Sequence, residues 1–227
     1  MNKYKSKKNP EKSFYSTKNV ILRKLGSGKL ILDVGCNDGY FGKFDKNNVY
    51  YGIDYSQEAL REAKKIYKDA IIYDLNNLQK LPWNIKFDTI IFADVLEHVL
   101  YPNKVLDFFV KKYLKNGASV AISLPNIANW QVRLCLLFGN FDYIDTGILD
   151  ETHLHFYTFK SAKFLISKSN LIISGIFSGA TLFGFIISVF PFLKSLLATN
   201  IVLIAKKTTN VCKNVFLSLE KNNHDKQ

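Results

Sequence analysis

Seven short apolar runs punctuate this chain, at residues 30–34, 49–53, 70–73, 87–93, 118–124, 171–177 and 201–205. Each is rich in β-branched or aromatic side chains and too brief for a buried helix, so each reads as a strand. Several lack strict apolar–polar alternation, as strands covered on both faces do. Amphipathic segments lie between them. Ser56 is placed to cap a helix whose stripe is Ala59, Leu60, Ala63, Ile66 and Tyr67. A second stripe, Val105, Leu106, Phe109 and Tyr113, runs toward Lys115-Asn116-Gly117, a turn with a helix-stop glycine. Further helices are expected over 128–138, 159–169 and part of 183–198. Strand and helix in alternation predict a doubly wound α/β fold, with a seven-stranded, mostly parallel sheet and helices on both faces. Ligands of such sheets sit beyond the C-terminal strand ends.

The net charge of +12 invites a nucleic-acid partner until it is located along the 227 residues. Residues 1–24 hold eight basic side chains against Glu11 alone, and 206–227 hold five against two acidic ones. The body between them is almost neutral. Only three arginines (Arg23, Arg61, Arg133) are available for bidentate phosphate or base contacts. We therefore expect no specific nucleic-acid partner. The chain divides into a basic extension over 1–24, one domain over 25–207 and a polar tail over 208–227. Cys36, Cys135 and Cys212 are odd in number and far apart, so neither a disulfide framework nor a zinc cluster follows. The polar, cationic start carries no apolar stretch of a secretory signal, and the cytoplasm is the expected location.

Chemistry concentrates at the strand ends. Asp33-Val34-Gly35-Cys36-Asn37-Asp38-Gly39 is a strand running into a tight glycine loop, where the backbone can approach a ligand closely. A dinucleotide loop would place glycine at position 37, and a phosphate loop would continue into Gly-Lys-Ser/Thr; neither does so here. Asp54 ends the next strand at a separation suited to a carboxylate that binds ribose hydroxyls. Asp74 follows the third strand.

This series resembles the class I S-adenosylmethionine-dependent methyltransferases, whose D-x-G-C-G-x-G loop is similar to residues 33–39, with Asn37 in place of its second glycine. Residues 87–99, with Asp94, Glu97 and His98, resemble the family's fourth strand and its L-E-H-V turn, and residues 114–126 its fifth strand. The nearest flavour is the ubiquinone-biosynthesis O-methyltransferases and the methyltransferases of surface-glycan clusters, a segment of which resembles residues 148–158. The resemblance covers about 25–205 and implies a Rossmann-like sheet with S-adenosylmethionine as cofactor. It places Asp33 and the backbone of Gly35, Cys36, Asn37 and Gly39 at the methionine part. Asp54 with Tyr55 falls at the ribose, Asp74 with Leu75 at the adenine, and Ala93, Asp94 and Val95 near the sulfonium.

The implied reaction is methyl transfer to a small molecule or glycan, at a hydroxyl oxygen. A hydroxyl acceptor benefits from a base, and His98 and His153 are the candidates because imidazole titrates near neutrality. Asp150 is placed to orient His153. Asp94 and Glu97, three residues apart, read as helix caps, and no metal is expected. Trp130, Phe138, Phe141 and Tyr143 mark a candidate lid. The greasy stretch 182–197 and the lysine-rich ends together suit peripheral contact with an anionic membrane. A nucleic-acid methyltransferase and a non-catalytic cofactor-binding module are the rival readings.

Overall fold

The computed structural model describes residues 13–180 and 183–208; the first half of the basic extension (1–12), residues 181–182, and residues 209–227 with Cys212 lie outside the described residues. Strands β1 (Leu30–Val34), β2 (Val49–Asp54), β3 (Asp69–Ile72), β4 (Phe87–Ala93), β5 (Leu114–Pro125), β6 (Leu171–Gly179) and β7 (Asn200–Lys207) form one sheet. Their order is β3-β2-β1-β4-β5-β7-β6. Neighbours from β3 through β5 pair in parallel, and only β7 runs against its neighbours β5 and β6. The fold is thus the expected α/β sheet, with its switch point between β1 and β4.

The helices are α1 (Thr17–Leu25), α2 (Tyr40–Phe44), α3 (Gln57–Ala63), α4 (Pro102–Tyr113), α5 (Trp130–Leu137), α6 (Phe159–Ser167), α7 (Gly184–Val189) and α8 (Lys194–Leu197). Alternate strand residues feed two separate cores. Ile31, Ile91, Ala121 and Val202 join α1, α2 and α3 on one face. Leu32, Ile90, Phe92, Val120, Ile122 and Leu203 join α4 and α6 on the other. Both faces of each central strand are therefore apolar, which is why the runs look continuous in sequence. Phe109, on the inward stripe of α4, is fully buried; truncating such a side chain costs about 3–5 kcal/mol.

Two expectations need correcting. The last residues of the basic extension belong to the packed body: Ser16 caps α1 by accepting from the Asn19 N–H at 3.4 Å, and Val20, Ile21 and Leu25 are buried. The lysines masked this stripe. Second, α4 stops at Tyr113 rather than in the Lys115–Gly117 turn, because the chain enters β5 at Leu114 at once. Gly117, at φ 74°, lies within β5, where the pairing with β4 slips register.

Candidate functional site

The ends of β1, β2, β3 and β4 open on one cleft of about 1540 Å³, closed on the far side by the start of β7 and the segment after α5. β1 delivers Asp33, which is almost fully buried and accepts from the Tyr67 hydroxyl at 2.6 Å. Burial raises the Asp33 pKa to about 7; the Tyr67 hydrogen bond opposes the rise and the nearby Asp54 charge adds to it. Sequence reading missed Tyr67 because its partner lies 34 residues away, across the sheet.

The loop that follows has little freedom. Gly35 sits at φ 71°, and a Cβ there would meet Val95 Cγ2 at 2.5 Å, so any side chain at the position is strained. Asn37 takes φ 48°, the left-handed conformation that asparagine tolerates. Its N–H donates to Asp54 Oδ2 at 2.8 Å, while Asp54 Oδ1 accepts from the Ser56 N–H at 2.9 Å. Asn37 therefore serves in the loop where a glycine was the expected residue. Cys36 is buried beneath it, and Gly39 at φ 81° leads into α2. Burial also raises the Asp54 pKa, against backbone hydrogen bonds that lower it.

Asp74 is exposed and accepts from the Asn76 N–H at 2.8 Å, an Asx turn that fixes the loop after β3. Tyr55 and Leu75 line the same wall. Across the cleft Asp94, at φ 55°, is held by two groups that sequence reading did not single out. Its Oδ1 accepts from Ser123 Oγ and from Asn200 Nδ2, each at 2.9 Å. The adjacency of β4, β5 and β7 creates this clamp, and no local pattern announces it. Ala93 and Val95 flank Asp94 at the cleft wall.

His98 and His153, 55 residues apart in sequence, meet edge to face with ring centroids 4.7 Å apart. His153 is buried, and its Nδ1 lies 3.0 Å from the Ile148 carbonyl; a carbonyl only accepts, so Nδ1 carries the proton. The same logic applies to His98, whose Nδ1 lies 3.2 Å from the Thr152 carbonyl and 3.0 Å from Thr152 Oγ1. Nε2 is thus left as the basic nitrogen of each ring. Thr152 Oγ1 donates onward to Asp150 at 2.7 Å. Asp150 therefore supports His98 through Thr152, and its carbonyl accepts from the His153 N–H at 3.0 Å. Burial lowers the His98 pKa, and the neighbouring His153 lowers it further.

Glu97 lies under the pair, fully buried, with both carboxylate oxygens lacking a hydrogen-bond partner among the described residues. Burial raises its pKa well above the usual range, with the Asp94 charge adding to the effect. Neither Glu97 nor Asp94 caps the short 3-10 turn over Leu96–His98, contrary to expectation. One ligand atom each from Glu97, His98 and His153 lie within 4.8 Å of one another, a spacing that would suit a metal ion.

Residues 32–120 match a family model described as a methyltransferase domain. Among curated proteins, the chain is 33% identical over 110 residues to a mitochondrial ubiquinone biosynthesis O-methyltransferase of Candida albicans, covering 44% of this chain and 33% of that protein. It is 35% identical over 102 residues to a tRNA U34 carboxymethyltransferase of Campylobacter fetus, covering 41% and 36%. The chain thus spans about a third of the length of these relatives. Among solved structures it superimposes on a magnesium protoporphyrin IX methyltransferase of Synechocystis, solved with bound S-adenosylhomocysteine, at TM-score 0.61 and 16% identity. That match covers 85% of this chain and 82% of the other.

Proposed function

We propose that this chain, whose residues 32–120 match a methyltransferase-domain model, moves a methyl group from S-adenosylmethionine to a hydroxyl oxygen of a small molecule or glycan. The residues present fit that cofactor. Asp33, Asp54, Asp94 and Glu97 are four carboxyl groups at one cleft, each with its pKa raised by burial. A cationic ligand offsets that penalty, and S-adenosylmethionine carries both a sulfonium and an ammonium. The side-chain-free Gly35 leaves backbone exposed for close approach. In this reading Asp33 and residues 35–39 hold the amino-acid end, Asp54 the ribose, and the Asp74 loop the adenine.

When bound, the cofactor supplies an electrophilic methyl on sulfur. The chain's part is to hold the acceptor in line and to receive its proton. His98 Nε2 takes that proton as the oxygen attacks. The charge it acquires is met through Nδ1–H by Thr152, which Asp150 in turn holds. His153, edge-on to His98 and locked by Ile148, fixes the approach of the acceptor. The observation that carries this reading is the meeting of His98 and His153 at the cleft the acidic strand ends share. Turnover with candidate quinols and glycans tests it: His98→Ala should abolish transfer yet keep S-adenosylhomocysteine binding, and loss of binding alone would contradict the assignment.

A second reading rests on the tRNA-acting relative. It gives a nucleic-acid acceptor a place that the charge distribution alone denied it. Salt-sensitive tRNA binding together with methyl incorporation would establish it. A chain that binds cofactor but transfers to neither acceptor class would be a cofactor-binding module.

A further inference from the structure

We propose that the apolar face beside the cleft mouth, made by α5 with the turn after it and by α7 to α8, seats on an anionic membrane surface. Phe185, Ile186 and Val189 stand at helical spacing on the outer side of α7 and are exposed, Phe185 at 71%; Phe190 and Phe192 follow, Phe192 at 75%. Gly184 and Ile187 face inward. A helix apolar on both sides needs a second apolar medium. On the neighbouring segment Leu137 and Phe138 are exposed at 78% and 72%.

The two segments are tied into one surface. The Trp130 and Phe183 rings meet edge to face at 6.3 Å, and the Asn129 side-chain amide donates to the Ala198 carbonyl at 3.0 Å. No helix among the described residues is long and apolar enough to cross a bilayer. A short apolar helix with basic surroundings instead lies in the interface plane.

Charge identifies the occupant. No Asp or Glu occurs between Glu151 and Glu220, a stretch that includes all of α7 and α8. Tyr15, which follows the lysine-rich start in the sequence, packs at this place. The Ala180 N–H donates to the Tyr15 carbonyl at 2.9 Å, and the Tyr15 ring lies directly against Gly184. Lys12 is three residues from Tyr15, and Lys3, Lys5, Lys7 and Lys8 precede it, against Glu11 alone. Exposed phenylalanines on an acid-free stretch of a basic chain match a bilayer of anionic headgroups over acyl chains. A second copy of this chain, itself at +12, would set like charge against like. Gln131, Val132 and Cys135 of α5 line the cleft, so a seated protein turns the cleft mouth toward the bilayer. The consequence, an acceptor held in or on the membrane, rests on the methyltransferase reading; the seating itself does not.

The full-length protein is floated with vesicles of phosphatidylcholine, alone or with about one-third phosphatidylglycerol, at low and raised salt. The expected result is flotation with the anionic vesicles, weakened by salt and absent with neutral ones. Phe185→Glu combined with Phe192→Glu should weaken the apparent partition about ten-fold or more. Both side chains are exposed, so the unfolding midpoint and S-adenosylhomocysteine titration of the double variant should match wild type. No flotation with anionic vesicles overturns the proposal. So does equal flotation of the double variant, or a dimer in vesicle-free solution that the substitutions dissociate, which would assign the face to a second copy. If wild type floats but binds no S-adenosylhomocysteine, the methyltransferase reading falls and the membrane seat stands.

Discussion

Asp33→Asn should make the protein more stable at alkaline pH while weakening its hold on the cofactor. The wild-type carboxyl is almost fully buried and titrates at about 7 in the fold, against about 3.9 in an unfolded chain. A raised folded pKa means the native state binds the proton more tightly, so stability from this group is present at low pH and lost as pH rises through about 7. A shift of roughly 3 units at about 1.4 kcal/mol each makes ionised Asp33 cost about 4 kcal/mol in total. Between about pH 5 and pH 8 the loss is about 2.5 kcal/mol. Asparagine does not titrate, and its side-chain oxygen can still accept from Tyr67, so the variant lacks this slope. The assay is urea unfolding of both proteins at several pH values, compared as a difference so that other groups cancel. The stability gain of the variant should grow by about 2.5 kcal/mol over that range, and its affinity for S-adenosylmethionine should fall. Parallel pH profiles, agreeing within about 0.5 kcal/mol, would refute the reasoning.

Gly35→Ala should destabilise the fold by about 1–3 kcal/mol in urea unfolding and abolish cofactor binding, because it forces a Cβ onto Val95 at positive φ. Since the His98 pKa is lowered, the acidic limb of kcat/KM should fall below the ordinary histidine value of about 6.5. A limb above neutrality would contradict the role. Because burial disfavours the Glu97 charge, Glu97→Gln should change stability near neutral pH by less than about 1 kcal/mol. A gain of several kcal/mol would mean the native carboxyl is ionised.

All seven strands were legible to within a few residues because each inner strand is apolar on both faces. Helix ends were legible where caps announce them: Ser56 does cap α3, accepting from the Ala59 N–H at 3.3 Å. What escaped was relational. α1 was hidden because Lys18, Arg23 and Lys24 surround a stripe of three buried apolar residues. Asp33, Asp54, Asp94 and both histidines stand out in sequence, since acidic strand ends after a glycine loop form a local pattern. Tyr67, Ser123, Asn200 and Thr152, which hold them, come from other elements across the sheet. Glu97 was misread because spacing alone suggested a cap, whereas its carboxyl is buried beside the 3-10 turn and makes no cap.

Calorimetric titration with S-adenosylmethionine and S-adenosylhomocysteine, for wild type beside Asp54→Ala, tests the central claim most directly. Both proteins are first checked for cooperative unfolding. Saturable binding to wild type, lost in the folded variant, is the predicted result. No binding by folded wild type, or undiminished binding by the variant, would contradict the cofactor site placed at these strand ends.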